Sequence, residues 1–256
     1  MRIVLIGSGN VATHLGKALQ QSGHSIVQIY SRTQANAAEL AEQLCATPII
    51  DIAAMDTTAN WYIFSVKDDA LPPLIEHFPD VKGLVTHTAG SVPMNILSRF
   101  RHHGVFYPFQ TFSKETAVDF KTIPLLVEGN SDQTTDTLLH LAREISDKAQ
   151  LASSDQRGQL HIAAVFACNF VNHMYALADD LLKSHQLPFD LLIPLIKETA
   201  GKMENISPQL SQTGPASRND QLIITKHLHS LEDHPHHKEL YEILTDSILK
   251  KLNLQQ

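Results

Sequence analysis

The feature that most constrains this chain is an apolar run followed at once by closely spaced glycines. Ile3–Ile6 is a run of four apolar residues, Gly7-Ser8-Gly9 follows it directly, and Ala12 comes three residues later. Glycine in a structured segment costs roughly 0.5–1 kcal/mol relative to alanine, so two glycines beside a core strand indicate that something approaches the backbone closely. The pattern predicts a strand, a tight turn and a helix that reaches Ser22.

The spacing Gly7-x-Gly9-x-x-Ala12 matches the dinucleotide-binding fingerprint. In that fingerprint the first glycine forms the turn, the second lets a diphosphate touch the backbone, and the third small residue lets the helix pack on the strand. The helix amides, with their partial positive charge, then face the phosphates. We therefore predict that a diphosphate is bound by Gly7, Ser8, Gly9, Asn10, Val11 and Ala12. A tight turn without a ligand is the alternative interpretation.

Short apolar runs alternate with helical patterns from the N-terminus to about Leu151. Such alternation favours an α/β fold with a doubly wound parallel sheet that is covered by helices on both faces. No strand signal follows Ser153, where a Ser/Asp cap opens some 30 residues that read as one long helix. We predict a nucleotide-binding domain over residues 1–152 and an all-helical domain over residues 153–256.

The end of the second predicted strand bears on which nucleotide is bound. An NAD-binding chain places Asp or Glu about 20 residues after the glycines, where it accepts hydrogen bonds from the ribose. This chain has Ser31-Arg32-Thr33 there instead. A guanidinium between two hydroxyls suits a ribose 2′-phosphate, because its planar fork pairs with phosphate oxygens. NADP is thus favoured over NAD as the cofactor; the alternative is a helix N-cap made by Ser31 or Thr33 beside a solvated arginine.

A further strand ends at Ser65-Val66-Lys67, which the predicted topology brings to the same edge of the sheet. Ligands of open α/β sheets bind at this edge, so these three residues are predicted to form a wall of the cofactor site. Asp68 and Asp69 follow, and at least one of them is expected to cap the next helix.

Seven segments taken in order resemble one family, the Rossmann-like proteins with a C-terminal DUF2520 domain: GSGNVATHL, YSRT, SVKDDAL, HTAGS, YPFQTF, HIAAVFACNFVNHMYALADDLL and TGPASRND. The resemblance implies an NADP oxidoreductase akin to pyrroline-5-carboxylate reductase and the coenzyme-F420-dependent NADP reductases. It also implies a Rossmann domain followed by a helical domain like that of 6-phosphogluconate-dehydrogenase relatives, which dimerise through their helices. The Lys-x-x-Asn-Asn pattern of related hydroxyacid dehydrogenases is missing, so lysine chemistry does not carry over.

Reduction of a C=O or C=N bond needs a proton donor or polarising group besides the hydride of the cofactor. At 100° per residue, His161, Asn169 and Asn172 fall within about 80° of one another on an otherwise apolar helix. We predict His161 as the acid, Asn169 as a substrate or nicotinamide ligand, and Arg218, on a Gly-Pro turn, as a ligand for a substrate carboxylate. The alternatives are a satisfied core or interface role for the helix residues, and a helix cap or a pair with Asp220 for Arg218.

The favoured function is therefore hydride transfer between NADP(H) and a small carbonyl or imine substrate. One alternative is a sensor or scaffold protein that binds the nucleotide without turnover, and another is a Rossmann enzyme for a flavin or S-adenosylmethionine. The formal net charge of −7 and the pI near 6.1 argue against nucleic-acid binding. Five histidines lie between His227 and His237, but their spacing matches no metal-ligand set, and we predict no metal.

Compartment is inferred from the cysteines and the apolar runs. Cys45 and Cys168 are predicted to be buried, reduced thiols, as expected of a cytoplasmic protein. The N-terminal apolar run is too short for the core of a signal peptide. We expect no stretch that approaches the ~20 apolar residues of a membrane span. We expect a cytoplasmic protein that does not bind membranes.

Overall fold

A computed structural model describes residues 1–253, so residues 254–256, the end of the predicted second domain, lie outside the described residues. The strands are β1 (Arg2–Ile6), β2 (Ser25–Tyr30), β3 (Thr47–Ile49), β4 (Trp61–Phe64), β5 (Leu84–His87), β6 (His103–Pro108), β7 (Leu125–Gly129) and β8 (Ala149–Leu151). The helices that accompany them are α1 (Asn10–Gln21), α2 (Gln34–Leu44), α3 (Leu71–His77) and α4 (Asp132–Ile145).

All eight strands form one sheet in the order β3-β2-β1-β4-β5-β6-β7-β8. The strands from β3 to β6 are parallel, and the order reverses between β1 and β4, where ligands of such sheets bind. The predicted doubly wound α/β fold is confirmed, although β3 was not predicted. The sheet is not wholly parallel, because β7 pairs with β6 antiparallel. Residues 109–124 between them contain one short 3₁₀ turn and no crossover helix, so the chain returns as a hairpin.

Helices cover both faces of the sheet because successive residues of the central strands point to opposite sides. Ile3 and Leu5 of β1 belong to one core cluster, with residues of α1, α2 and α4. Val4 and Ile6 belong to the other, with α3 and Phe78. All four side chains are fully buried. This two-sided burial is what the continuous apolar run in the sequence requires.

The long helix predicted after Ser153 is a helical run of three parts. The helix α5 (Ser154–Ala164) opens with a capping box between Ser153 and Gln156. A π-helical segment, Val165–Phe170, follows, and α6 (Val171–Ser184) continues the run. The predicted uninterrupted α-helix is therefore wrong at the π-helical segment. Since a π-turn holds one residue more than an α-turn, later residues are offset by about 100° from the calculated face.

By length and composition alone, the run Ser154–Ser184 could cross a membrane, with a mean hydropathy of 1.3 over its best 18 residues. The expectation that no stretch approaches a membrane span is therefore corrected. Core and interface helices of folded proteins meet the same criterion. The N-terminal half of the run packs on the sheet through the polar side chains of Ser154, Arg157 and His161.

The chain divides into two compact units, Met1–Asn169 and Phe170–Gln256. After α6, the second unit contains α7 (Ile193–Lys202), α8 (Gln221–Ser230) and α9 (Pro235–Asn253). The change from strands to helices falls after β8, at the predicted position, whereas the units separate within the π-helical segment. The domain boundary at 152 stays a prediction.

Many apolar side chains of the second unit are exposed, and among those that the structure describes only Ala216 and Ile224 are buried. Leu191 and Leu195 each expose 62% of their surface, and Leu210 and Leu222 each expose 81%. Cys45 and Cys168 are free thiols, and both are exposed, so their predicted burial is wrong. Cys45 caps the end of α2, and Cys168 lies in the exposed π-helical segment.

Candidate functional site

A cleft of about 710 Å³ opens at the end of the sheet where the strand order reverses. It is lined by Gly7, Ser8, Gly9, Tyr30, Ser31, Arg32, Thr33, Asn36, Ser65, Val66, Lys67, Asp69, Ala70, Leu74 and Lys114. Nine of the twelve predicted cofactor-binding residues are in this set. A neighbouring pocket of about 560 Å³ shares five residues with the cleft and adds five others. The shared residues are Tyr30, Arg32, Asp69, Ala70 and Leu74, and the others are Ile50, Asp51, Ile52, Pro73 and His77.

The glycine turn at the floor of the cleft has the geometry that its spacing predicts. Gly7 has φ = 121°, and a Cβ there would collide with the backbone carbonyl of Ser65. A Cβ on Gly9 would meet nothing within 4 Å, so the backbone at Gly9 faces open space. Gly9 is also the N-cap of α1 and offers no side chain to the first amides of the helix. These amides can therefore bind an anion in the cleft.

Ala12 is fully buried and packs α1 on the sheet, as the third fingerprint position requires. Asn10, Val11 and Ala12 do not line the cleft. The Asn10 side-chain amide instead donates a hydrogen bond of 2.7 Å to the carbonyl of Phe112, on the loop after β6. Any contribution of these three residues to cofactor binding would come from their backbone amides.

The segment Ser31-Arg32-Thr33 lies on one wall of the cleft. Ser31 is nearly buried and accepts a hydrogen bond of 2.9 Å from the Ser8 hydroxyl, which ties the second strand to the glycine turn. Thr33 is the N-cap residue of α2, but its side chain makes no capping hydrogen bond. Arg32 is exposed, and its guanidinium has no hydrogen-bond or ion-pair partner among residues 1–253. The arginine is therefore available to a ligand.

Two lysines add positive charge to the cleft. Lys67 follows β4, as predicted, and Lys114 reaches the cleft from the loop after β6. The Lys114 ammonium lies 2.9 Å from a carboxylate oxygen of Glu39 on α2. Sequence reasoning missed Lys114, because it is more than 80 residues from Arg32 and belongs to no motif that we interpreted.

A second group of polar side chains lies where the segment after β5 meets β6 and α5. The Tyr107 hydroxyl, at the end of β6, is 3.4 Å from Nδ1 of His161 on α5. A Cβ on Gly90 would lie 2.8 Å from each of these two atoms, so the Gly90 backbone packs directly against the pair. Asp68 accepts a hydrogen bond from Ser91, which connects the same segment to the cleft wall.

A buried ion pair holds α5 against the sheet. Arg157 is 1% exposed, and its guanidinium is 2.8 Å from a carboxylate oxygen of Glu128 on β7. The same guanidinium donates hydrogen bonds to the carbonyls of Ala89 and Val92, at 3.2 and 2.7 Å. Since Arg157 is one turn before His161, these bonds fix the height and rotation of the helix at the Tyr107–His161 pair.

His87, the last residue of β5, is fully buried beside this ion pair. Burial, and then the nearby Arg157 charge, lowers its pKa from 6.5 to about 4. Its Nδ1 accepts a hydrogen bond from the Ala89 amide, and its Nε2 has no partner in the described part of the chain. The imidazole is therefore neutral at pH 7.

The predicted catalytic residues have different surroundings. His161 lies in the polar group just described. Asn169 is exposed within the π-helical segment, so the face calculated for it with His161 does not hold. Arg218 ends a 3₁₀ turn in the second unit, and Asp220 caps α8 by accepting from the Ile223 amide. An Arg218–Asp220 ion pair does not form among the residues that the structure describes. The roles of Asn169 and Arg218 stay predictions.

No group of three or more His, Cys, Asp or Glu side chains within residues 1–253 is arranged to hold a metal ion.

Comparisons with known proteins agree with this architecture. A model of a Rossmann-like domain matches residues 1–109, and a model of a domain of unknown function, DUF2520, matches residues 123–248. A solved structure from Bacteroides fragilis, described as a putative NADP oxidoreductase, is 48% identical. The alignment covers 97% of this chain and 98% of that one, with a TM-score of 0.92. A search of curated proteins found no match.

More distant solved structures share the fold. An imine reductase from Myxococcus stipitatus in complex with NADP⁺ is 15% identical over 99% of this chain and 95% of its own, with a TM-score of 0.68. A 1-pyrroline-5-carboxylate reductase from Streptococcus pyogenes is 15% identical over 98% of both chains, with a TM-score of 0.62.

Proposed function

The chain belongs to the family of Rossmann-like proteins with a DUF2520 domain, and on this premise we propose that it is an NADP-dependent oxidoreductase. Its reaction would transfer a hydride between NADP(H) and a small carbonyl or imine substrate. The observation that carries the proposal is the cleft over Gly9, where open space, uncapped helix amides and the free Arg32 guanidinium lie together.

The residues of the cleft fit a nicotinamide dinucleotide. The amides at the start of α1 are suited to the diphosphate, because they are donors without a side-chain cap. The neighbouring pocket, with Tyr30, Ile50 and Leu74, offers the apolar surface that an adenine ring requires. The Bacteroides relative is described as an NADP oxidoreductase, and the Myxococcus imine reductase was solved with NADP⁺, which supports a nicotinamide cofactor here.

The preference for NADP over NAD rests on the second wall of the cleft. Arg32, Lys67 and Lys114 are cations there, and position 32 has no carboxylate to accept bonds from an unmodified ribose. A guanidinium without a protein partner can bind two of the three terminal oxygens of a 2′-phosphate.

When bound, the nicotinamide supplies the hydride, and the protein must supply a proton to the substrate heteroatom. His161 remains our candidate for handling that proton, since it lies beside Tyr107 in the first unit. The substrate would be a small molecule, with Arg218 as the proposed ligand for a substrate carboxylate and Asn169 as a proposed amide ligand.

The proposed cofactor preference is tested by replacing Arg32. Arg32→Ala is expected to weaken NADPH binding about tenfold to a hundredfold and NADH binding by less than threefold, since charge-assisted hydrogen bonds contribute about 1.5–3 kcal/mol. Titration of nucleotide fluorescence measures both constants. Arg101→Ala removes an exposed arginine outside the cleft and is the matched control. Equal losses for the two nucleotides would contradict the assignment, and failure of the wild type to bind either would refute the oxidoreductase.

We also propose that the chain forms a homodimer through its helical unit. The exposed leucines on α7, α8 and the segments around them support this, because helices that leave their apolar faces in water are unstable alone. A cytoplasmic location is proposed with it, and the two free, exposed thiols are consistent with a reducing compartment.

A further inference from the structure

We propose that Tyr107 is the proton donor to the reacting heteroatom and that His161 returns a proton to it through Nδ1. The inference rests on the proposed oxidoreductase function and names the group that serves it. Sequence reasoning assigned the acid to His161 alone and gave Tyr107 no role, because nothing in the sequence connects positions 107 and 161.

The first support is the distance between the two side chains. The Tyr107 hydroxyl and the His161 Nδ1 are 3.4 Å apart, which is long for a hydrogen bond but within reach of one. Catalytic hydrogen bonds are often long without substrate and shorten in the reacting complex. Both residues are only half-buried, so part of each side chain is exposed.

The second support is the glycine that lies against the pair. Any residue other than Gly90 would place its Cβ 2.8 Å from both the phenol oxygen and the imidazole nitrogen. Gly90 has an ordinary φ, so the backbone conformation does not demand glycine. A side chain at this position would have to displace the Tyr107 hydroxyl or the His161 imidazole, so glycine leaves room for both beside the backbone.

The third support is the position of the pair beside the cofactor cleft. The next residue, Ser91, donates a hydrogen bond to Asp68, which lies in sequence between the cleft residues Lys67 and Asp69. Thr88, in the same segment, donates to the Ser65 hydroxyl of the cleft wall at 3.2 Å. The segment that contacts the pair is therefore bonded to the wall of the cleft.

The surroundings keep the phenol protonated and the pair in place. Burial raises the pKa of Tyr107 above its ordinary value of 10, and the Arg157 charge opposes that rise. The phenol is thus neutral at pH 7, and it holds a proton that it can give. The Arg157–Glu128 ion pair one helical turn away fixes α5, so His161 has little freedom to leave Tyr107.

The proton transfer balances as follows. The O–H bond of Tyr107 breaks and a bond from that proton to the substrate oxygen or nitrogen forms, while the substrate carbon gains its electron pair as hydride from reduced nicotinamide. The N–H bond at Nδ1 of a protonated His161 then breaks to restore the Tyr107 O–H. One proton from solvent reprotonates His161, so each turnover consumes one hydride and one proton.

The proposal is tested with Tyr107→Phe, which keeps the ring and removes the hydroxyl. Tyr241→Phe is the matched control, because Tyr241 also lies beside a histidine, with its hydroxyl 2.9 Å from Nδ1 of His227. NADPH affinity is measured by nucleotide fluorescence. NADPH oxidation is followed with 1-pyrroline as an imine and pyruvate as a 2-oxo acid. The signals of the His161 ring protons, identified by their loss in His161→Gln, are recorded by NMR.

We expect Tyr107→Phe to keep NADPH affinity within twofold, to lower the oxidation rate by 10²- to 10⁴-fold, and to move the NMR signals of the His161 ring protons, because the hydroxyl beside Nδ1 is lost. The control should change none of these. A rate within threefold of wild type, or unchanged signals of the His161 ring protons, would overturn the role of Tyr107. A wild type that binds no NADPH, or oxidises it with neither probe, would instead overturn the proposed function, and the Tyr107 role would fall with it.

Discussion

Gly7 and Gly9 are two residues apart, yet only Gly7 is required by the fold itself. At Gly7 the backbone has a positive φ, and a side chain would collide with the Ser65 carbonyl, so the restriction comes from the protein itself. At Gly9 the backbone is in an ordinary extended conformation and a side chain would meet nothing. Folding alone does not explain Gly9, which indicates a ligand at that position.

Substitution at these glycines should therefore separate binding from folding. Gly9→Val is expected to lower NADPH affinity at least about tenfold, because its side chain would occupy the space of the diphosphate, while the thermal midpoint changes by only a few degrees. Gly7→Ala, the comparison variant, should lose roughly 1–3 kcal/mol or more of stability through strain at a positive φ. Fluorescence titration and thermal unfolding measure the two effects. Unimpaired NADPH binding by a folded Gly9→Val protein would argue against a diphosphate in the turn.

At the level of elements, α5 is attached to the sheet by a polar stripe. Ser154, Arg157 and His161 follow one another at helical spacing. Ser154 bonds to Glu128 on β7, Arg157 bonds to Glu128 and to the segment after β5, and His161 approaches Tyr107 on β6. The spacing is visible in the sequence, but the partners are not, since Glu128 and Ala89 are 29 and 68 residues from Arg157. Only the tertiary contacts show that this face of α5 carries a buried arginine, Arg157, paired with Glu128.

The junction of β5 and α5 should make the protein sensitive to acid. The pKa of His87 is about 4 in the folded chain and 6.5 when unfolded, so the unfolded chain binds more protons between these values. Stability is then complete above pH 6.5 and falls as the pH approaches 4. From pH 7.5 to pH 5 we expect His87 to account for about 2 kcal/mol of the loss in unfolding free energy.

Urea unfolding at both pH values measures that loss. His87→Asn cannot titrate, and it should lose about 2 kcal/mol less than the wild type over the same interval, even if it is less stable throughout. Arg157 and Glu128 remain in both proteins, so their charges affect both measurements. His102→Gln, which removes a histidine just before β6, should follow the wild type. The same pH dependence in His87→Asn and wild type would show that His87 does not titrate in this way.

For the whole molecule, the proposed homodimer rests on the exposed apolar side chains of the second unit. Leu195→Glu, on α7, is expected to convert a dimer into monomers at micromolar concentration, since it would bury a charge in an apolar interface. Light scattering after size-exclusion chromatography gives the molecular mass. Lys197→Glu changes charge on an exposed residue of the same helix and should leave the mass unchanged. A monomeric wild type would refute the dimer.

The sequence by itself determined the features that depend on neighbouring residues. Apolar strands alternating with helices fixed the doubly wound sheet, and the spacing of Gly7, Gly9 and Ala12 located the turn where the cleft opens. The serine cap of α5 and the helical second half were also predictable, because capping and periodicity are local properties.

Tertiary structure decided what depends on distant contacts. It made β7 antiparallel to β6, introduced the π-helical segment that shifts Asn169, and exposed both cysteines that were expected to be buried. It also brought Lys114 to the cleft and Tyr107 to His161. These last two meetings depend on which strand ends, loops and helix faces come together in the fold, and side chains 54 or more residues apart carry no local pattern that reveals their meeting.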